Sequence, residues 1–356
     1  MAGRGDPDPD EMKIQHAYGV ARGFALGQDE FNRPPLVRTV AIARALGDHD
    51  YEMRGLWSLF TWELNDGRGL RNALDFARQF SAAANGDDAD SELLIGERME
   101  GCALHLLGRH AEARATLEAV LQGYADPERR SHTVRFQFSQ VALAQAMLAW
   151  TLCLQGDSDG ASAVAEAAVA EAARIGHANS LGHVLDAAGS IAIVQGDLAA
   201  AARVSERLGE LGTSLGVGLW TARNEVLRGM IQVKSGDLTA GLRQFRAAFP
   251  RSAWTMTTYR TPFLLSQLAE AEAAAGALDK ALLIMDDALG WFGHADEFWC
   301  APECLRIKGE LLARSSDAAR RREGEALIRR GIDLARRHGA AGWERRAINS
   351  LETASL

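Results

Sequence analysis

A glycine-containing turn recurs along this chain at a nearly constant spacing. Five versions of the turn, LGRHAEA, QGDSDGA, QGDLAAA, SGDLTAG and AGALDKA, place glycines at positions 108, 156, 196, 236 and 276. The last four of these glycines are 40 residues apart, and the first precedes them by 48. A fixed period of this length is the signature of a repeat protein, so we expect one array of similar units instead of several unrelated domains.

Each turn is followed by three positions that suit one buried face of a helix. A small residue stands five positions after the glycine, and mostly apolar residues stand nine and twelve positions after it. Offsets of four and three residues lie on one side of a helix, and a small first residue permits close approach to a partner helix. The five small residues are Ala113, Ala161, Ala201, Gly241 and Ala281. The later positions are Leu117, Ala165, Ser205, Phe245 and Met285, then Val120, Ala168, Leu208, Ala248 and Ala288.

The turn itself predicts the end of one helix and the start of the next. Its glycine suits a left-handed cap, and the aspartate that follows in three turns (Asp157, Asp197 and Asp237) suits an N-cap. The chain has only eight prolines and almost no alternation of Val, Ile and Thr, so the expected fold class is all-α. Further units around Gly67 and Gly324 bring the expected total to about fourteen to sixteen helices. Residues 1–12 are expected to form a disordered acidic leader, and residues 13–356 a single helical-repeat domain.

Charge and composition exclude several classes of function. The net charge of −8 and the pI near 5.7 indicate no basic surface for direct nucleic-acid binding. No run of about 18 apolar residues is present, so no membrane span is expected, and the acidic N-terminus lacks the apolar core of a signal peptide. Four cysteines in 356 residues are typical of a reducing compartment, which predicts a cytoplasmic protein. Homo-oligomerisation stays open.

The closely spaced Cys300 and Cys304 are the strongest hint of a metal site, and they are not sufficient. Zinc needs three or four ligands, usually from two close pairs, and only His294 lies nearby. We therefore expect neither a metal nor another cofactor, and we interpret both cysteines as packing residues of a first helix. The motifs G-x-x-x-x-G-K-[ST], G-x-S-x-G and H-E-x-x-H are all missing, so no enzyme activity and no catalytic residue are expected.

The small–bulky–small pattern after each turn resembles that of the tetratricopeptide repeat, in a unit of about 40 residues instead of about 34. Four longer phrases resemble the C-terminal array of large bacterial signal-transduction ATPases: WCAPECLRIKGELL, EALIRRGIDLARRHGAAGWERRAINSL, ARALGDHDYEMRGLWSLF and GERMEGCALHLLGRHAEARATLEAVL. This resemblance implies a right-handed superhelical solenoid whose first helices line a concave groove. It also implies a link to an ATPase with a transcription-regulator or nucleotide-cyclase output.

Polar and aromatic residues recur near the start of the first helices, which the resemblance places on the concave face. Arginines and large aromatic residues dominate binding hot spots, so this set is the predicted binding surface. Its members are His132, Arg135, Gln137, Asn179, His183, Trp220, Arg223, Asn224, Trp254, Tyr259, Arg260, Trp299, Glu303 and Arg306. The four arginines of the set are expected to form one row along the groove.

The predicted function is a non-enzymatic scaffold or sensor that binds a protein partner or a small effector on this face. The alternative is a stand-alone small-molecule receptor, in which the superhelix closes around an aromatic pocket, and the eight tryptophans are compatible with it. An open, charged groove would favour the protein partner, whereas an enclosed aromatic pocket would favour the receptor. An enzymatic hypothesis would require an unexpected cofactor or turnover.

Overall fold

The computed structural model describes residues 6–26, 31–66, 69–125, 136, 138–216, 218–253, 258–292 and 298–354. Within these ranges the protein contains seventeen α-helices, two 3₁₀ helices of three residues each and no strand. The all-α prediction is confirmed.

The helices follow one another along the chain with short connections. The first nine are α1 (Pro9–Leu26), α2 (Arg33–Leu46), α3 (His49–Asp66), α4 (Leu70–Ala83), α5 (Ala89–Leu106), α6 (His110–Gly123), α7 (Gln140–Gln155), α8 (Ser158–Ile175) and α9 (Ala178–Gln195). The remaining eight are α10 (Leu198–Leu215), α11 (Gly218–Lys234), α12 (Leu238–Ala253), α13 (Thr261–Ala274), α14 (Leu278–Phe292), α15 (Ala301–Ala313), α16 (Ala318–His338) and α17 (Ala341–Ala354). The 3₁₀ helices are Gly86–Asp88 and Thr258–Arg260.

Helix α1 begins inside the stretch 1–12 that the sequence predicts to be disordered. The carboxylate of Asp8 accepts a hydrogen bond of 2.9 Å from the backbone N–H of Asp10, and Pro9 is the first helical residue. Aspartate followed by proline is a favourable helix start. Met12 is fully buried against α2. The last residues of the predicted leader therefore belong to the helical array.

The helices form two layers. Each helix packs against the next one in the chain, and α5, α7, α9 and α11 also pack against one another in series. Helix α7 is buried on nearly its whole circumference, whereas α8 buries only one face of alanine and valine residues. A helix that is apolar all round lies in a protein interior. The odd-numbered helices are therefore the inner layer, and the even-numbered helices are the outer layer.

The predicted register of the repeats is confirmed. The glycines of all five recurring turns have positive φ angles, from 77° to 98°, which is the left-handed conformation of a helix C-cap. Asp157, Asp197 and Asp237 each accept a hydrogen bond from a backbone N–H three residues later, at 3.0, 2.8 and 3.2 Å. Every position of the predicted buried face is buried, from Ala113 to Ala288.

Two glycines permit the contact between α15 and α16. A Cβ on Gly309 would lie 2.6 Å from the carbonyl oxygen of Gly324, and a Cβ on Gly324 would lie 2.5 Å from the carbonyl oxygen of Gly309. Real Cβ atoms do not approach other atoms so closely, so the two helices pack backbone against backbone. Gly324, Ile328 and Gly331 are all buried, as the small–bulky–small pattern predicts.

The array closes on itself. The backbone N–H of Trp299, just before α15, donates a hydrogen bond of 2.9 Å to the carbonyl oxygen of Leu106 at the end of α5. Helix α17 packs against α7, and the 3₁₀ helix Thr258–Arg260 packs against α3. Late repeats therefore contact early ones across the inner layer. In the described part of the chain, no helix combines the length and the apolar character that a membrane crossing requires.

Candidate functional site

The inner layer lines a partly open cavity of about 110 Å³. Residues from α3, α5, α7, α9, the 3₁₀ helix Thr258–Arg260 and the turn before α15 form its wall. These segments are far apart in sequence, so the cavity exists only because the array closes. Its aromatic residues are Trp57, Phe60, Phe138, Trp150, Tyr259 and Trp299. Of the predicted binding residues, His183, Tyr259, Arg260 and Trp299 line it.

Trp299 joins late repeats to early ones and also lines the cavity. Its Nε1 donates a hydrogen bond of 3.0 Å to the carbonyl oxygen of Tyr259. Its ring centroid lies 5.2 Å from that of Trp150, at an interplanar angle of 70°, and 5.9 Å from that of His105. The pair with Trp150 is edge-to-face, a geometry that favours a fixed arrangement of the rings. The same side chain therefore holds distant repeats together and forms part of the wall.

Asp186 of α9 connects two of the predicted arginines. Its Oδ2 accepts a hydrogen bond of 2.5 Å from Nη1 of Arg223 and a second one from Nη1 of Arg260. Nη2 of Arg260 also donates to Oγ of Ser190. Burial alone would raise the pKa of Asp186, but Arg260 and Arg223 outweigh that effect and hold the pKa below its usual value. Asp186 is therefore a buried, ionised carboxylate shared by two guanidinium groups.

Arg98 of α5 lies in the wall, and among the described residues no carboxylate pairs with it. Its Nε donates a hydrogen bond of 3.0 Å to Oε1 of Gln140, and Nη1 lies 3.7 Å from Sγ of Cys102. Its guanidinium carbon lies 4.9 Å from the ring centroid of Trp57, a cation–π distance. Nη2 of Arg98 and Nε of Arg260 are both buried and have no hydrogen-bond partner in the described part of the chain. Buried N–H groups of this kind are rare in folded proteins.

The wall carries a positive charge. Its charged residues are Arg98, Asp186 and Arg260. Burial lowers the pKa of His105 to about 3, and burial together with the nearby Arg223 lowers the pKa of His183 to about 3. Both histidines are therefore neutral at pH 7. The net charge of the wall is +1.

Trp220 supports the wall from outside it. His183 packs between Phe138 and Trp220, with ring centroids 5.1 and 4.9 Å away and both contacts edge-on. A Cβ on Gly182 would lie 2.3 Å from Cε2 of Trp220, so only glycine leaves room for the indole there. Trp220 is fully buried. It positions His183 instead of contacting the cavity.

Arg306 belongs to a different network, in which it is paired with acidic residues, and its place in a single row of arginines stays a prediction. Its Nε donates to Glu303 at 2.8 Å, Nη2 donates to Glu270 at 3.1 Å, and Nη1 lies 2.8 Å from Glu310. Nη2 of Arg346 lies 2.8 Å from Glu303. Burial would raise the pKa of Glu303, but Arg306 and Arg346 outweigh it and lower the pKa to about 2. Arg306 does not line the cavity.

Asn224 and Asn179 do not line the cavity either. Oδ1 of Asn224 accepts a hydrogen bond of 2.7 Å from Oγ of Ser205, which ties α11 to α10. Asn179 is half-buried near the start of α9. The other predicted binding residues lie outside the described residues: His132, Arg135, Gln137 and Trp254.

Sequence reasoning missed Arg98 and Asp186. Asp186 is an isolated acidic residue within the apolar stretch SLGHVLDAAGSIAIV of a first helix, and that isolation is a signal that could have identified it. Arg98 is flanked by Glu97 and Glu100, so in the sequence it resembles an ordinary surface charge. No local signal distinguishes it.

The side chains of the site suit the binding of a ligand. The described residues contain no group of three or more His, Cys, Asp or Glu residues that could hold a metal ion. Cys300 and Cys304 are fully buried, and burial together with the neighbouring Cys304 raises the pKa of Cys300, so its thiol stays protonated. The cavity itself offers apolar surface and buried guanidinium donors.

Comparisons with known proteins show the fold and little beyond it. No protein-family model matches the chain. An uncharacterized protein of Rhizobium meliloti (strain 1021) is 26% identical over 251 residues, which are 69% of this chain and 24% of that protein. The chain thus spans about a quarter of the length of the curated relative it matches.

Two solved structures resemble the whole array. A crystal structure of a Rap protein complexed with Competence and Sporulation Factor has a TM-score of 0.55 at 12% identity, covering 97% of this chain and 99% of that one. The apo form of RapI has a TM-score of 0.46 at 9% identity, covering 97% of this chain and 96% of that one. The likeness to the Rap complex shows that the fold is a tetratricopeptide-like helical-repeat solenoid.

Proposed function

We propose that this chain is a non-catalytic sensor that binds a small effector in the cavity inside its helical array. The observation that carries the proposal is the closure of the inner helices around an aromatic wall. A concave, mostly apolar site with a few polar groups is typical of small-ligand binding, whereas a stable protein interface needs about 800 Å² on each partner. The geometry therefore favours the receptor hypothesis over a protein partner in the inner groove.

The structural neighbour supports a ligand-binding role for such an array. The Rap protein was crystallised as a complex with Competence and Sporulation Factor, so a solenoid of this fold can hold a bound factor. For the present chain we place the ligand in the inner cavity because the buried arginines and the aromatic wall meet there.

The wider context of this sensor is also part of the proposal. Its sequence phrases resemble the arrays of bacterial signal-transduction ATPases, so we propose that ligand binding is passed to an ATPase with a regulatory output. The matched relative is about four times as long as the aligned region, which leaves room in that protein for additional domains. A cytoplasmic location is proposed with the same context, and the free thiols of all four cysteines suit it.

A tryptophan-fluorescence screen tests the proposed function. The protein is titrated with small acids, amides and alcohols of up to about five non-hydrogen atoms, which suits the volume of the cavity. Because Trp57, Trp150 and Trp299 line the cavity, a bound ligand should change the emission. The variant Ala146→Phe fills the cavity from α7 and should abolish the response.

The matched control is Ala167→Phe, which adds the same ring at an exposed position of α8 and should respond like the unmodified protein. Circular dichroism of both variants verifies that the helices are retained. A ligand that binds Ala146→Phe as tightly as the unmodified protein would place the binding site elsewhere and contradict the proposal.

A further inference from the structure

We infer that the effector of this cavity is a short-chain monocarboxylate held by the guanidinium groups of Arg98 and Arg260. The inference rests on the proposed function, because it names the ligand class of the same cavity. Three features of the wall lead to it: donors without partners, an excess positive charge, and a small volume with apolar sides.

Arg98 is the first donor. Arg98 is only 4% exposed, and in the described part of the chain its side chain contacts the amide of Gln140, the thiol of Cys102 and the rings of Trp57 and Phe60. None of these groups is an anion, and Nη2 has no hydrogen-bond partner in the described part of the chain. A buried cation without a counter-charge is strongly unfavourable. A carboxylate in the cavity would supply the missing negative charge.

Arg260 is the second donor, and it enters the wall from the 3₁₀ helix Thr258–Arg260. Two of its nitrogens bind Asp186 and Ser190, while Nε is buried without a partner among the described residues. Asp186 is shared with Arg223, so it does not neutralise Arg260 completely. In agreement with this, burial lowers the pKa of Arg260 despite the opposing effect of Asp186. An additional anion beside Arg260 would compensate for the lost hydration.

The charge of the wall and the volume of the cavity together indicate which anion fits it. The wall contains two arginines and one aspartate, and that aspartate also pairs with Arg223, so the cavity favours an anion. A cavity of about 150 Å³ holds benzene, so 110 Å³ corresponds to roughly four or five non-hydrogen atoms. The aromatic sides suit an apolar chain, and planar guanidinium groups suit a planar carboxylate. Propionate has this size and this combination of groups, whereas inorganic phosphate has no apolar part.

The test compares propionate with two matched probes. Calorimetric titrations of the full chain at pH 7 and constant ionic strength use propionate, its neutral isostere propionamide, and inorganic phosphate. We expect propionate to bind at least about tenfold more tightly than propionamide, because a charge-assisted hydrogen bond is lost in the amide. We expect phosphate to bind more weakly than propionate as well.

The variant Arg98→Gln should weaken propionate binding at least about tenfold and leave propionamide binding unchanged. The variant Arg98→Lys keeps the positive charge but lacks the planar guanidinium group. It should lose less affinity for propionate than Arg98→Gln does. The control Arg228→Gln removes an exposed arginine of α11 and should bind propionate normally. The comparison of probes on the unmodified chain needs no variant, so it remains decisive even if Arg98→Gln does not fold.

Equal binding of propionamide and propionate would overturn the carboxylate inference and leave the cavity receptor intact. Tighter binding of phosphate would overturn it in favour of an inorganic anion. If neither these probes nor any neutral compound of the fluorescence screen binds, both the inference and the proposed function are wrong.

Discussion

The backbone N–H of Trp299 donates a hydrogen bond of 2.9 Å to the carbonyl oxygen of Leu106. This bond joins the turn before α15 to the end of α5. In most helical-repeat proteins each repeat contacts only its neighbours, which leaves an open concave surface. Here a late repeat contacts an early one, and the inner surface becomes the wall of a cavity.

The first prediction concerns Trp299. Its side chain is only 2% exposed and packs against the rings of Trp150, Phe263 and Trp343. Replacing Trp299 with alanine should lower the free energy of unfolding by about 3–5 kcal/mol, because a large buried ring is lost from the closure. Urea unfolding followed by circular dichroism measures the change. A loss no larger than that of Phe31→Ala, at a position that is 60% exposed, would show that the closure contributes little.

The shared carboxylate of Asp186 leads to a second prediction. The variant Asp186→Asn keeps the shape of the side chain and leaves Arg223 and Arg260 buried without their anion. The free energy of unfolding should fall by about 3–5 kcal/mol. The matched control is Glu118→Gln, which breaks an ion pair with Arg114 in which both side chains are 42% exposed. Glu118→Gln should lower the free energy of unfolding by less than about 1 kcal/mol. Similar losses of stability in the two variants would contradict the burial of the Asp186 network.

A third prediction tests the register of the repeats. Ala201 is fully buried where α10 meets its partner helix, so Ala201→Trp should overpack the contact and destabilise the protein by about 1–3 kcal/mol or more. Arg243→Trp places the same ring at an exposed position of α12 and should change stability by only about 0.5 kcal/mol. Thermal melts measure both. Indistinguishable melting temperatures would mean that the register is wrong.

The register was predictable from the sequence because it depends on local rules. A turn glycine, a capping aspartate and an alanine five residues later each act within one helix pair, so their spacing reveals the pair. The closure depends on contacts between residues that are distant in the chain. Arg260 reaches Asp186 across 74 residues, and no local pattern identifies that pair. For the same reason the sequence did not reveal that Arg223, Arg260 and Arg306 are buried and paired with acidic residues.

A pH dependence follows from two buried histidines, His105 near the end of α5 and His110 at the start of α6. The ring of His110 lies 5.1 Å from that of His105 and 6.1 Å from that of His338. Burial, and then these two neighbours, hold the pKa of His110 well below its usual value, and burial lowers the pKa of His105 to about 3. In the unfolded chain both rings take up protons near the usual value of 6.5.

The unfolded state therefore binds more protons than the folded state below that pH. The stability should be fully present above about pH 6.5 and should decrease as the pH falls towards about 3. Urea unfolding at about pH 7.5 and about pH 5 measures the decrease. The variant His110→Leu removes one of these titrating groups and should lose less stability between these pH values than the unmodified protein. An equal loss in both proteins would show that His110 does not titrate in this way.

The central claim is that a small ligand binds inside the closed array, and a methionine methyl group in the wall reports on it directly. Met147 of α7 lines the cavity, whereas Met285 of α14 is buried at a helix pair away from it. In a protein labelled with ¹³C at the methionine methyl groups, titration with propionate should shift the NMR signal of Met147 and leave that of Met285 in place. Ala146→Phe should abolish the shift. A shift confined to other methionines, or the same Met147 shift in Ala146→Phe, would contradict a ligand site inside the array.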